Sequence, residues 1–405
     1  MVPGNLDLGG LDAGRYFSES TLDRTADFER FGRWNFVFSE LALLGTFVYY
    51  ALRGERFTRE SAAGRVGTGM LLGMLGFAIV WLVQLPFKVA NFWWYSRHDL
   101  VHGNVFEFVF SNWFLLAGEF LFLSLALAIV MGLAGALGRN WWIVGGPTFV
   151  GLAALFLFVA PYLSASELKR LRDPQLSAQA HAIAVKQGVG DVPIRVQKVS
   201  DQTSAINAYA FGLGPSRRVV LWDTFLEPRF SKGEVRVVIA HEYGHHARAH
   251  LPKGLAWYAL FAIPGAYLIE RLTRRKGGMR NPAAVPVSLL VLVVLQLVAS
   301  PVENVISRHV EAEADWMALQ TTRDPASARR LFQDFTRADL AQPNPPTWSY
   351  LLLDSHPTIL QRIAMVEAWR KRSTRAAGVP REGSGFPRSS STSTTSPASR
   401  RAAPS

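Results

Sequence analysis

The sequence predicts a mainly α-helical protein, a multi-span membrane helix bundle into which a smaller α+β domain is inserted. Three observations indicate this fold class. Hydrophobic residues make up 49% of the 405 positions, charged residues only 18%, and long apolar runs dominate the first 163 positions. A helix that crosses a bilayer needs about 20 mostly apolar residues. Runs of this length therefore favour membrane insertion over the buried core helices of a large soluble protein.

Six stretches are long and apolar enough to span a bilayer. They are residues 35–52, 68–90, 108–136, 141–163, 254–272 and 283–303. Aromatic pairs suited to the headgroup layer lie near several of their ends, as at Tyr49-Tyr50 and Trp141-Trp142. The first four form one block, 35–163, and the last two form another, 254–303. Basic residues occur in the loops on both sides, so their number does not decide the orientation.

The remaining segments are polar. Residues 1–34 form a polar N-terminal segment without the early apolar core of a signal peptide. Residues 164–253 mix a helix near 178–186, two short strands and a helix from Gly233 to about His250. With six spans, both termini lie on the same side of the membrane as this segment. We expect that side to be cytoplasmic, at the plasma membrane if the source is bacterial.

The C-terminal part follows the last span without a helix breaker. One long helix is therefore expected to leave the membrane and begin a segment of residues 304–373. Residues 374–405 are rich in Ser, Thr, Arg, Pro and Gly and have almost nothing to bury. We expect this tail to be disordered.

The charge and the cysteine content narrow the possible functions. The net charge of +12 fits either nucleic acid or anionic lipid as a partner. Basic residues flank the apolar runs, as in 271–276, and no nucleic-acid-binding motif accompanies them, so the bilayer is the expected partner and nucleic acid is not. The chain has no cysteine. Disulfides are therefore excluded, and any metal must be held by His, Asp or Glu.

The helix after Gly233 carries the motif His241-Glu242-Tyr243-Gly244-His245. Residues four apart lie one turn apart on the same helical face, so the two histidines can bind one zinc ion. Glu242 is then placed to accept a proton from a zinc-bound water. The alternative is a pair of surface histidines in a His-rich stretch, since His246 and His250 follow.

A catalytic zinc needs a third protein ligand. Asn304, Arg308, Glu311 and Asp315 are spaced to share one face of the helix that leaves the last span. A solvated charged face would have the same pattern, and Glu313 is an equally available carboxylate. The spacing alone does not choose among these possibilities.

Taken together, the motifs resemble the integral-membrane zinc proteases typified by the type I CAAX prenyl protease and, more distantly, the bacterial heat-shock membrane protease. The matching segments are His241 to His246, Asn304 to Asp315, which fits N-x-x-S-R-x-x-E-x-x-A-D, the strand from Asn207 to Gly212, and Ser355-His356-Pro357 followed by Arg362. The resemblance implies a gluzincin-like domain, one Zn²⁺ per chain and a peptide or protein substrate. The prenyl proteases have seven spans, one more than we count.

The same resemblance assigns roles to individual residues. It implies that Glu311 is the third zinc ligand, and that Asp315, with Asn304 and Arg308 of the same motif, orients the ligands. Asn207, Ala208 and Tyr209 would lie on an edge strand that holds an extended substrate. His356 would donate to the oxyanion, and Arg362 would hold the acidic groups around the metal. From the residues alone, His356-Pro357 is more typical of a turn before a helix.

The expected function is that of a membrane-embedded zinc endopeptidase. Its substrates would be CAAX-like or membrane-associated peptides, as the prenyl proteases suggest, or damaged membrane proteins, as the heat-shock relative suggests. A non-catalytic membrane scaffold that keeps the fold is the alternative from another class.

Overall fold

The fold is described from a computed structural model, which describes residues 2, 10–58, 63–110 and 113–378. Within those residues the chain forms twelve α-helices and four β-strands. The last helix continues to Gly378, so the first five residues of the expected disordered tail are helical. The rest of that tail, 379–405, lies outside the described residues.

Long helices form the bundle. They are α1 (Glu19–Arg53), α2 (Gly64–Arg97), the short α3 (Val105–Phe110), α4 (Trp113–Leu137), α5 (Trp141–Leu163), α8 (His250–Thr273) and α9 (Val285–Thr322). In the described part of the chain, four segments are long and apolar enough to cross a membrane: Glu19–Phe57, Gly64–Arg97, Leu116–Leu163 and Pro282–Thr322. The third of these contains both α4 and α5. Helix α8, over the expected span 254–272, is not among them, and the count of six spans stays a prediction.

Glycines on α2 allow the bundle helices to pack closely. A Cβ atom at Gly69 would lie 2.0 Å from the sulfur of Met131 on α4, and one at Gly73 would lie 2.1 Å from Leu127 Cδ1. A larger residue at either position would force the Met131 or Leu127 side chain to move. The outward faces of the same helices expose large apolar side chains, such as Leu41 on α1 and Leu121 on α4. This arrangement fits a bundle surrounded by lipid.

The inserted domain contains one small sheet. Its strands are β1 (Leu168–Arg170), β2 (Ile194–Gln197), β3 (Ala208–Phe211) and β4 (Arg218–Trp222), in the order β1-β2-β4-β3. Strands β2 and β4 are parallel, and the other two pairs are antiparallel. Strand β3 is therefore an edge strand. The helices of this domain are α6 (Pro174–Gln187), α7 (Lys232–Ala247), α10 (Pro325–Ala338), α11 (Thr347–Leu352) and α12 (Ile359–Gly378).

Helix α7 carries the HEYGH motif through the middle of this domain. It begins with a capping box, in which the Ser231 hydroxyl accepts from the Glu234 N–H and the Glu234 carboxylate accepts from the Ser231 N–H. Its apolar half, including Val235 and Ile239, is buried. The helix does not run on to His250 as expected. It ends at Ala247, and α8 begins at His250 after a break at Arg248 and Ala249.

Helix α9 joins the bundle to the inserted domain. Val285 and Leu289 near its start belong to the core of the bundle, and Trp316 and Leu319 near its end belong to the core of the domain. The N-terminal residues connect the two parts as well. Helix α1 begins at Glu19 and contains the apolar stretch 35–52, and Phe17 just before it is buried in the core of the domain.

Candidate metal centre

Helices α7 and α9 pack closely at the point where the HEYGH motif faces the polar stripe of α9. Gly244 lies against Ala314: a Cβ atom on Gly244 would be 3.5 Å from the Cα atom of Ala314. This close approach brings the Glu311 carboxylate next to His241 and His245. Glu311 is therefore the carboxylate of the stripe that the fold places beside both histidines.

The donor atoms of these three residues form a compact set. The Nε2 atoms of His241 and His245 are 3.1 Å apart, His241 Nε2 is 3.1 Å from Glu311 Oε2, and His245 Nε2 is 3.6 Å from Glu311 Oε1. Tetrahedral zinc with ligands at about 2.0–2.2 Å has donor atoms roughly 3.3 Å from one another. The three side chains thus fit a tetrahedral metal ion with one position left for another ligand.

The Nδ1 side of the His241 ring contacts Asp315, which is itself paired with Arg362. Its Nδ1 lies 2.9 Å from Asp315 Oδ1, and Asp315 accepts two hydrogen bonds from Arg362, at 2.8 Å from Nε and 2.6 Å from Nη2. Burial lowers the pKa of His241, but the hydrogen bonds to Asp315 and Glu311 outweigh burial and raise this pKa to about 10. Metal binding at Nε2 must therefore displace a proton.

The next two histidines, His245 and His246, differ in role. Burial and the neighbouring charge of His241 lower the pKa of His245 to about 3, so that His245 is neutral and can donate a lone pair to a metal. The next residue, His246, turns about 100° away, as its position on the helix requires. Its Nε2 lies 3.0 Å from the main-chain oxygen of Arg218 on β4.

Glu242 is buried and lines a cavity of about 380 Å³. Burial raises the pKa of its carboxyl to about 7, and the neighbouring His241 opposes this effect only in part. A carboxyl group with a pKa near neutrality can both accept and release a proton at physiological pH. His241, His356 and Arg362 line the same cavity.

His356 approaches the centre from the solvent side. It lies between α11 and α12, its Nε2 is 3.4 Å from Glu311 Oε2, and its side chain is 58% exposed. The turn that the sequence suggested at His356-Pro357 is present, since α12 begins at Ile359. The histidine nevertheless faces the candidate metal ligands.

Asn304 and Arg308 hold this loop in place. Asn304 Nδ2 donates to the Leu352 carbonyl at 2.8 Å, and Arg308 Nη1 donates to the carbonyls of Tyr350 and Asp354 at 2.9 and 2.6 Å. These contacts differ from the direct orientation of a ligand that the motif suggested. They position the segment that leads to His356.

The residues assigned to substrate binding divide between two places. Asn207 and Ala208 line the cavity, at the start of the edge strand β3. The Tyr209 hydroxyl instead donates to Gln197 Oε1 on β2, at 3.1 Å across the sheet. Side chains alternate along a strand, so Tyr209 lies on the opposite face from its neighbour Ala208.

The structure places His250 beside the centre, a position that the sequence did not indicate, and it places Glu313 beside His250 rather than at the candidate metal ligands. His250 Nδ1 lies 3.0 Å from His245 Nδ1, and His250 Nε2 lies 3.2 Å from Glu313 Oε2. The sequence shows a His-rich stretch here, and that was the available signal for His250. Its contact with His245 depends on the break between α7 and α8, which the sequence pattern did not indicate.

Comparison with known proteins agrees with this geometry. Residues 170–370 match the model of peptidase family M48. The chain is 29% identical over 242 residues to the "Uncharacterized metalloprotease YhfN" of Bacillus subtilis, covering 56% of this chain and 57% of that protein. It is 24% identical over 331 residues to a "CAAX prenyl protease 1 homolog" of Arabidopsis thaliana, covering 74% of each chain. The chain thus spans little more than half the length of the Bacillus protein.

The fold also matches a solved structure. The crystal structure of S. mikatae Ste24p superposes with a TM-score of 0.74 at 19% identity, over 86% of this chain and 89% of that chain. At this identity the likeness concerns the fold, a membrane helix bundle with a peptidase domain. Residues 170–370 thus match peptidase family M48, and the chain resembles the CAAX prenyl protease-like metallopeptidases and has membrane-type helices.

Proposed function

We propose that this protein is a membrane-embedded, zinc-dependent endopeptidase. The observation that carries the proposal is the set of His241, His245 and Glu311 donor atoms, all within 4.8 Å of one another beside a buried glutamate in a cavity. Two imidazoles and one carboxylate, without cysteine, are the donor set of many catalytic zinc sites. When bound, the ion would supply Lewis-acid chemistry that polarises the scissile carbonyl and acidifies the attacking water.

Glu242 acts as the general base in this proposal. It takes a proton from the water that attacks the scissile carbonyl and delivers the proton to the leaving amine. Its pKa near 7 supports both halves of this exchange at neutral pH.

The other residues stabilise charge or hold the ligands. His356, exposed and 3.4 Å from Glu311, is placed to donate a hydrogen bond to the developing oxyanion. Asp315 and Arg362 fix the ring of His241. One hydrogen bond between His241 and Asp315 and two between Arg362 and Asp315 support this role. Arg308 and Asn304 fix the loop that carries His356.

The substrate is proposed to bind as an extended strand along the free edge of β3. Asn207 and Ala208 at the start of that edge line the cavity, and Glu242 accepts a hydrogen bond from the main chain of the same strand at Ala210. Main-chain pairing of this kind tolerates many side chains. The likeness to CAAX prenyl protease 1 homologs suggests a CAAX-like or other membrane-associated peptide, with the peptidase domain on the cytoplasmic side.

The central test compares wild-type protein with Glu242→Gln, both purified in detergent as the full chain. The variant should bind zinc as the wild type does and cleave a fluorogenic peptide at least about 10³-fold more slowly, because it lacks the base. Glu227→Gln, in a solvent-accessible pair with Arg229, serves as a control for the same exchange outside the centre. Equal rates for Glu242→Gln and wild type would exclude this mechanism.

A second experiment addresses the substrate. Prenylated and unprenylated peptides of the same sequence are offered together with an unfolded membrane protein. Faster cleavage of the prenylated peptide supports a CAAX-like role, and preference for the unfolded protein supports quality control. If no substrate is cut and no zinc is bound, the chain is a membrane scaffold that keeps the fold of a peptidase.

A further inference from the structure

The break between α7 and α8 places an alanine in an unfavourable conformation. Ala249 has φ 53° and ψ 42°, in the left-handed region that is unfavourable for a residue with a side chain. The side chain of Ala249 is exposed, so it gains nothing from burial. Strain of this kind persists where the surrounding structure requires it, and it often lies at functional sites.

The break brings His250 back onto a candidate metal ligand. On a continuous helix, residues five apart point about 140° away from each other and are separated by about 7.5 Å along the axis. Here the Nδ1 atoms of His245 and His250 are 3.0 Å apart. The left-handed residue Ala249 is thus what allows His245 and His250 to meet.

A carboxylate holds the far side of His250. Its Nε2 lies 3.2 Å from Glu313 Oε2 on α9, and the His250 side chain is only 2% exposed. Arg248 and Lys253 lie 3.4 and 4.0 Å from the same carboxylate. The carboxylate thus has three nitrogen donors around it, and it is the acceptor of the hydrogen bond with His250.

The direction of each hydrogen bond follows from that carboxylate. Because Glu313 accepts, the Nε2 atom of a neutral His250 carries its hydrogen, and its Nδ1 keeps a lone pair. That lone pair can accept the Nδ1–H of His245. The lone pair of His245 is then on Nε2, the atom 3.1 Å from His241 Nε2.

We propose that His250 and Glu313 are positioning residues that fix the tautomer and the ring orientation of His245 for metal binding. This inference rests on the metal centre of the proposed function. Each ligand histidine then has its own hydrogen-bonding partners at Nδ1. Asp315, paired with Arg362, contacts His241, and His250, paired with Glu313, contacts His245. Such partners typically contribute 10–100-fold to metal affinity.

The test measures the zinc affinity of the full chain in detergent by competition with a chromogenic chelator. His250→Phe keeps the volume of the ring and removes both hydrogen bonds, and it should weaken zinc binding about 10–100-fold. His250→Asn keeps an acceptor near the position of Nδ1 and should restore much of that loss. Glu313→Ala, which removes the acceptor of the His250 Nε2–H, should weaken binding in the same direction.

Two control variants distinguish a positioning effect on His245 from a general loss of folding or packing. His246→Phe alters the adjacent buried histidine, which bonds the Arg218 carbonyl, and should leave zinc affinity unchanged. Ala249→Gly removes the cost of the left-handed conformation and should keep zinc affinity. Thermal unfolding in excess chelator reports folding of each variant without metal.

Wild-type zinc affinity in both His250→Phe and Glu313→Ala overturns the proposal. An equal loss of zinc affinity in His246→Phe overturns it as well, because the effect is then not specific to His250 and Glu313. These outcomes are independent of catalysis. A wild type that binds zinc tightly but cleaves no peptide contradicts the proposed function and leaves the positioning test valid.

Discussion

Arg362 illustrates how a single residue can act on the centre without contacting the donor atoms. It makes two parallel hydrogen bonds to Asp315, which in turn holds His241 Nδ1. Its guanidinium also lies 4.3 Å from the centre of the Phe332 ring, so the charge is held between a carboxylate and an aromatic face. This geometry uses the planar fork of arginine, which lysine lacks.

We expect Arg362→Lys to weaken zinc binding about 10-fold, since lysine replaces the two parallel bonds with one and leaves the Asp315 carboxylate less constrained. Chelator competition measures the change. Arg370→Lys is the control. Arg370 lies on the same helix, its side chain is exposed and pairs with Glu367, and the substitution should have no effect. Unchanged affinity in Arg362→Lys would show that Asp315 orients His241 without the arginine.

At the level of the elements, the centre depends on how closely α7 and α9 approach. Two of the donor residues lie on α7 and the third on α9, so their spacing is set by the contact between Gly244 and Ala314. Neither helix contains the whole site. The distance between the helix axes is therefore as important as the identity of the ligands.

Gly244→Ala should be tolerated, because the added Cβ meets Ala314 at an ordinary contact distance and alanine favours the helix by about 1 kcal/mol. Gly244→Leu should separate the helices and abolish zinc binding, since the larger side chain has no space there. Gly254→Leu on α8, where nothing lies within 4 Å of an added Cβ, is the matched control. Zinc binding by Gly244→Leu at wild-type strength would contradict this view of the α7–α9 contact.

At the level of the whole molecule, α9 belongs to both hydrophobic cores, and the metal ligands connect α9 to α7. A metal ion that binds the folded state alone stabilises it by about 2.7 kcal/mol when present at 100 times its dissociation constant. The effect should reach both parts of the protein, because Val285 and Trp316 at the two ends of α9 lie in different cores.

Chelation of zinc should therefore lower the thermal unfolding midpoint by several degrees, and added zinc should restore it. Tryptophan fluorescence in detergent follows the transition. His241→Ala lacks a ligand and should show no shift with chelator. A chelator shift of the same size in His241→Ala would mean that the stabilising ion binds elsewhere.

Much of this protein follows from local patterns in its sequence. Hydropathy predicted the long bundle helices, because about 20 apolar residues are needed whatever their neighbours are. The spacing of His241 and His245 predicted two donors on one helical face, since helix geometry alone sets that relation. The uninterrupted apolar run predicted that one helix would extend from the bundle to Glu311.

Tertiary structure decided what no local pattern contains. The sequence left Glu311 and Glu313 as equal candidates, and only the α7–α9 packing places Glu311 at both histidines and Glu313 behind His250. The turn at Ala249 was missed because alanine favours helices, and a left-handed alanine is stable only when surrounding contacts compensate for its cost. Contacts between residues distant in sequence thus determine the centre, whereas the elements that carry it are determined locally.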